Sequence, residues 1–154
     1  KSTRTLLITL NRPERGNALH QEMLFELESL LAWCTSRVEI NSLYIDACTP
    51  MFSPGVSTDS LKEMSAQQIE KMQQRLHKIV YAMMQLPQTV FIDLGEGSSN
   101  WASELAIGAD VRLCSKTAQI NFNHTHLGLV PASGGMGFLA HLVPASFARQ
   151  WVSL

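Results

Sequence analysis

Residues 95–110 read Gly-Glu-Gly-Ser-Ser-Asn-Trp-Ala-Ser-Glu-Leu-Ala-Ile-Gly-Ala-Asp, and they hold the residues best suited to chemistry. A β-branched, apolar run at 89–94 precedes them, and a short apolar stretch at 102–109 suits two turns of buried helix. Between a strand and a helix N-terminus, backbone N–H groups point outward without intrahelical partners. Such a place attracts a phosphate, a carboxylate or a developing oxyanion. Glu104 falls in the first turn of the expected helix, so a titratable carboxylate stands beside those donors.

Other patterns point to less. Gly95-Glu96-Gly97-Ser98-Ser99-Asn100 imitates a dinucleotide fingerprint, but Asn100 stands where the third glycine must let helix and strand pack closely. No NAD site is expected from it. His124 and His126 make a His-x-His pair without a carboxylate or cysteine at ligand spacing, so no metal site is expected. A serine nucleophile elbow is missing. The methionines between Ile69 and Met84 read as core rather than as a binding stripe.

The elements that must position these residues follow from length and pattern. A chain of 154 residues, 45% hydrophobic and 16% charged, can bury one real core, and is no disordered chain. A net charge of −1 provides no field for nucleic acid or an anionic membrane. Cys34, Cys48 and Cys114 are too scattered for a disulfide framework or a zinc knuckle. With no transmembrane run and no signal-peptide core at the N-terminus, a reducing cytoplasm is the expected compartment. The chain opens almost on a strand and ends inside a helical pattern at 145–154, as a piece of a longer chain would.

Strands are expected at Thr5–Leu10 (as a buried strand), Ser42–Ala47, 89–94, 110–114 and 119–122. Asn17 is expected to cap a helix running to about Cys34, with Met23, Leu27, Leu30 and Cys34 on one face. Ser65 and Gln68 form a capping box ahead of Ile69, Met72, Leu76, Ile79 and Met83, and Leu86-Pro87 ends that helix. A Pro-, Ser- and Gly-rich loop fills 49–59, and a Gly-rich turn at 131–137 leads into a last helix. Alternating strands and helices make an α/β domain with a largely parallel sheet. Ligands then belong beyond the carboxyl ends of the strands, where the loops at 49–59 and 95–100 aim N–H groups into one crevice.

Motifs in one order along the whole chain now carry a family resemblance. Asn11-Arg12-Pro13-Glu14-Arg15-Gly16-Asn17-Ala18-Leu19 resembles the opening of the crotonase (enoyl-CoA hydratase/isomerase) superfamily. Phe52-Ser53-Pro54-Gly55-Val56 with Leu61-Lys62-Glu63-Met64 resembles its first oxyanion-hole loop. Ser103-Glu104-Leu105-Ala106 with Ala109-Asp110-Val111-Arg112-Leu113 is similar to its second loop and helix, and Leu127-Gly128-Leu129-Val130-Pro131 with Gly134-Gly135 to the segment after its second catalytic position. The resemblance implies a crotonase-like (ClpP/crotonase) fold of ββα units around a mostly parallel sheet. It implies a single domain core over residues 1–154 without the family's C-terminal helical region, and a homo-oligomer, in this family a trimer. It also implies an acyl-CoA thioester as substrate, with coenzyme A part of that substrate and no separate cofactor.

Residue by residue, the resemblance places the backbone donors for an enolate oxygen at Val56 and Trp101. Glu104 falls on the first carboxylate position, and His124 on the second, where hydratases carry Glu. An imidazole can trade a proton near neutral pH as a tuned carboxylate does. Coenzyme A contacts fall on Arg15, Asn17, Ala18, Leu19, Ser53, Pro54 and Gly55. The chain departs from the family at Asn100-Trp101-Ala102, where a run of glycines is usual. It also departs after Val56, where Ser57-Thr58 replace the usual Asp. An N–H donates whatever its side chain, but an indole fills space that glycine leaves to the thioester. Retained Glu104 favours hydration or isomerisation of an acyl-CoA; the lost glycines and His124 favour a non-catalytic binding or scaffolding subunit.

Overall fold

The computed structural model describes residues 4–135 and 137–153. Its strands are β1 (Thr5–Leu10), β2 (Ser42–Ala47), β3 (Thr89–Asp93), β4 (Gly97–Ser99), β5 (Val111–Leu113) and β6 (Gln119–Asn121). Its helices are α1 (Gln21–Cys34), α2 (Thr58–Glu63), α3 (Ala66–Gln85), α4 (Asn100–Ile107), α5 (Leu139–Leu142) and α6 (Ala145–Ser153). Residues 136 and 154, within the expected Gly-rich turn and the last helical pattern, lie outside the described residues.

Four strands form one sheet in the order β1-β2-β3-β5, with every neighbour parallel. β4 and β6 pair in parallel as a second, two-stranded sheet. Parallel neighbours require crossovers, and α1 and α3 supply two of them. One face of the central strands is fully covered, so Leu43, Ile45, Val90 and Ile92 have no exposed surface, while Tyr44 and Phe91 on the other face are half-buried. Each fully buried side chain contributes about 1.5–3 kcal/mol of transfer free energy. The expectation of a buried first strand is corrected: β1 lies at the sheet edge, and Thr5, Leu7 and Thr9 are exposed while Leu10 is buried.

α3 follows its pattern closely. The Ser65 hydroxyl accepts from Gln68 N, and the Gln68 side chain accepts from Ser65 N, giving both halves of the capping box. Met72, Leu76, Ile79, Val80 and Met83 are buried, and this face packs on α1 through Met23, Leu24, Leu27, Leu31 and Cys34. Asn17 does not cap α1, whose N-cap is His20. Instead Asn17 is itself fully buried at φ +60°, a left-handed conformation that Asn tolerates. Its Oδ1 accepts from Arg12 N at 2.7 Å and its Nδ2 donates to Thr49 Oγ1 at 2.7 Å, so it ties together the loops that follow β1 and β2.

Those loops meet beyond the carboxyl ends of the strands, as the parallel sheet requires. Ser53 Oγ donates to Asn17 O, Leu19 N to Gly55 O, and Ser53 bridges to Ser98 of β4. The stretch expected as a loop before the glutamate helix contains β4, and α4 begins at Asn100 rather than at 102. Glu104 is therefore the fifth residue of α4, one turn in from its start. All eight residues of α4 are buried. Arg112 closes the other end, its Nη1 donating to the carbonyls of Ala106 and Ala109 where the helix dipole favours a cation.

Candidate active site

Two constellations sit on α4, one at its first turn and one a turn later. At the first turn, Val56 N and Trp101 N both donate to one oxygen, Asn100 Oδ1, at 2.9 and 2.6 Å. The expected pair of backbone donors thus converges on a single carbonyl oxygen, one from the loop after β2 and one from the first turn of α4. Two N–H groups aimed at one point can hold a carbonyl or stabilise a developing oxyanion. Gly55 makes the approach possible: it lies at φ +76°, and a Cβ there would fall 1.8 Å from Asn100 Oδ1. Gly55 N in turn donates to Ser53 Oγ, which anchors the loop from beneath. Pro54, lacking an N–H, contributes its carbonyl, which accepts from Asn100 Nδ2 at 2.9 Å.

A turn later, Glu104 Oε2 lies 3.0 Å from His124 Nε2, and neither side chain has exposed surface. Glu104 Oε1 accepts from Ser133 N at 2.8 Å and Gly135 N at 2.9 Å. The carboxyl is therefore held from both sides, by a ring nitrogen and by a small backbone nest. His124 lies in a short 3-10 turn, Asn123–Leu127, with Phe122 stacked on its ring and Leu129 N donating to its carbonyl. Its Nδ1 is buried without a hydrogen-bond partner among the described residues. His126, two residues on, is exposed, so the two histidines stand in different environments.

Trp101 places its backbone at the donor pair and its indole in the main core, with no exposed surface. Its Nε1 has no partner among the described residues. The residues named for coenzyme A divide. Asn17, Leu19, Ser53 and Gly55 are buried and brace the donor loop. Arg15 is exposed and Ala18 is buried, and both line a surface cleft of about 300 Å³ with Arg12, Ser57, Asp59, Ser60 and Glu63.

The sequence reading missed three contributors. Asn100 reads in the sequence only as a lost glycine, yet its side chain fills the point where the donors converge. The Ser133 and Gly135 N–H groups carry no side-chain signal, and only the Gly134-Gly135 pair hints at backbone that can fold closely around a carboxyl.

With this geometry in view, the likeness to known proteins is specific. The enoyl-CoA hydratase/isomerase family profile matches residues 1–154. This chain belongs to the enoyl-CoA hydratase/isomerase family, within the crotonase superfamily. A putative enoyl-CoA hydratase/isomerase of Bacillus subtilis, YngF, is 25% identical over 99% of this chain and 59% of its own length. The ethylmalonyl-CoA decarboxylase of Xenopus laevis is 28% identical over 95% of this chain and 49% of its own. The crystal structure of an enoyl-CoA hydratase from Bacillus anthracis superposes with a TM-score of 0.91 at 21% identity, over 99% of this chain and 60% of that one. At that identity the structural likeness establishes the α/β crotonase fold. The chain spans about half to three-fifths of the length of these curated relatives.

Proposed function

We propose that the chain binds an acyl-CoA thioester and stabilises its enolate, in hydration or isomerisation. The observation that carries this reading is the convergence of Val56 N and Trp101 N on one carbonyl oxygen. A thioester oxygen needs the same two donors, and needs them most as charge builds on it. In hydration a base takes a proton from water, the hydroxyl adds to C3, the enolate oxygen rests between the two N–H groups, and a proton returns to C2. In isomerisation the proton leaves one carbon and returns to another through the same enolate. Glu104 and His124 form the proton-handling pair in either case, and Arg12 and Arg15, in a surface cleft that Asp59 and Glu63 also line, are the cations offered to the phosphate end of coenzyme A.

A second reading is a subunit that holds acyl-CoA without transforming it. It is favoured by the complete burial of Glu104 and His124 and by the three hydrogen bonds that occupy the carboxyl. Titration with crotonyl-CoA, by calorimetry and by absorbance of the unsaturated thioester, separates the two. Binding with loss of the double bond, abolished by Glu104→Gln, supports the enzyme. Binding without turnover supports the subunit, and no binding of any coenzyme A compound overturns both.

A further inference from the structure

Asn100 is built into its position at a cost. It opens α4 at φ +38°, a left-handed conformation that favours glycine, and its side chain is almost wholly buried. Within that small space the carboxamide is engaged at both ends: Oδ1 takes the N–H groups of Val56 and Trp101, and Nδ2 donates to Pro54 O. An amide carbonyl is an sp² oxygen on carbon, the same local shape as a thioester carbonyl. The side chain therefore reproduces, from within the chain, the group that the two donors would take from a ligand.

We propose that Asn100 determines which carbonyl compounds this site accepts: its oxygen competes for the two N–H groups, and a thioester carbonyl enters only by displacing it. The inference rests on the acyl-CoA reading above. Nitrogen feeds its lone pair into a carbonyl more effectively than sulfur does, so an amide oxygen is the stronger acceptor. A neutral thioester gains little from the exchange. An enolate oxygen carries a full charge and forms hydrogen bonds roughly twice as strong, so it displaces the amide where the thioester does not. Asn100 thereby disfavours resting thioesters at this point and leaves the donors to an oxygen that has become an anion.

The test compares acetyl-CoA with S-ethyl-CoA, the thioether of the same length without the carbonyl, on the native chain and on Asn100→Gly. Glycine suits φ +38°, so this variant keeps the backbone while removing the competing oxygen. The native chain is expected to bind both probes within about twofold. Asn100→Gly is expected to prefer the thioester by about tenfold, the worth of one or two released hydrogen bonds. Equal thioester preference in the two proteins overturns the role of Asn100 and leaves the acyl-CoA reading standing. Failure of both proteins to bind either probe overturns that reading, and this proposal with it. Amide proton shifts of Val56 and Trp101 in the native chain supply a second measurement. They move with neither probe if Asn100 holds the donors, and movement with acetyl-CoA alone overturns the competition.

Discussion

Glu104 Oε2 and His124 Nε2 stand 3.0 Å apart in a space with no solvent contact, on two elements, although the residues lie twenty positions apart in the chain. A carboxyl in that position is expensive to bury, and it is retained here because both oxygens are satisfied. Glu104→Ala would leave Ser133 N and Gly135 N buried without an acceptor and His124 Nε2 buried without its partner. The expected destabilisation is about 3 kcal/mol or more, read as a lowered urea midpoint at unchanged slope. Glu104→Gln keeps the volume and one acceptor oxygen, so its cost is expected to stay within about 1–2 kcal/mol. The same Gln variant is expected to lower any hydratase or isomerase turnover by about a hundredfold or more, since it removes the proton-accepting group. A Gln variant that unfolds as readily as the Ala variant would show that the charge, not the acceptor pattern, holds this site together.

Gly55→Ala tests the loop opposite. The added Cβ would fall 1.8 Å from Asn100 Oδ1, and the residue would be held at φ +76°. Strain and collision together predict a loss above about 2 kcal/mol. Hydrogen exchange at Val56 and Trp101 is expected to accelerate far more than exchange in α3, because their shared acceptor is pushed aside. Uniform acceleration across the chain would instead mean that Gly55 serves global stability alone.

How much could be read beforehand depended on whether a signal was local. α3 was legible because its start, its apolar period and its Pro stop all lie within one stretch of chain. The strand–helix alternation likewise led to the parallel sheet. β4 was not legible: Gly97, Ser98 and Ser99 have no strand propensity, and only pairing with β6 makes them a strand. That pairing moves the start of α4 to Asn100 and Glu104 out of its first turn. Asn17 has the chemistry of a cap, yet its bonds to Arg12 N and Thr49 Oγ1 decide its use. In the candidate site, Glu104, His124, Val56 and Trp101 were named through family motifs. The acceptor between the two donors was not, because it depends on a left-handed residue meeting a loop forty-four positions away.

The capping box of α3 gives a stability test independent of the site. Ser65→Ala removes the hydroxyl that accepts from Gln68 N, with an expected cost of about 1 kcal/mol. Ser65→Gly is expected to cost only a few tenths, since glycine tolerates the N-cap conformation. Equal losses in the two variants would mean that the hydroxyl bond contributes little here.

Tyr44 and Asp93 give a pH test on the sheet. Tyr44 Oη donates to Asp93 Oδ2 at 2.8 Å between neighbouring strands. That hydrogen bond holds the phenol above its ordinary value, with burial and the charges of Asp93 and Asp46 acting in the same direction. The raised value means that the fold favours the protonated phenol. Its contribution is full below the unfolded tyrosine value of about 10 and is lost as pH rises through the higher folded value. Tyr44 and Tyr81 are the two tyrosines of the chain, so Tyr81→Phe leaves one signal to follow by tyrosinate absorbance. In that background the native titration is expected above that of the urea-unfolded chain, and Asp93→Asn is expected to bring it down. A titration unmoved by Asp93→Asn would show that burial and the Asp46 charge, and not the interstrand hydrogen bond, raise the phenol.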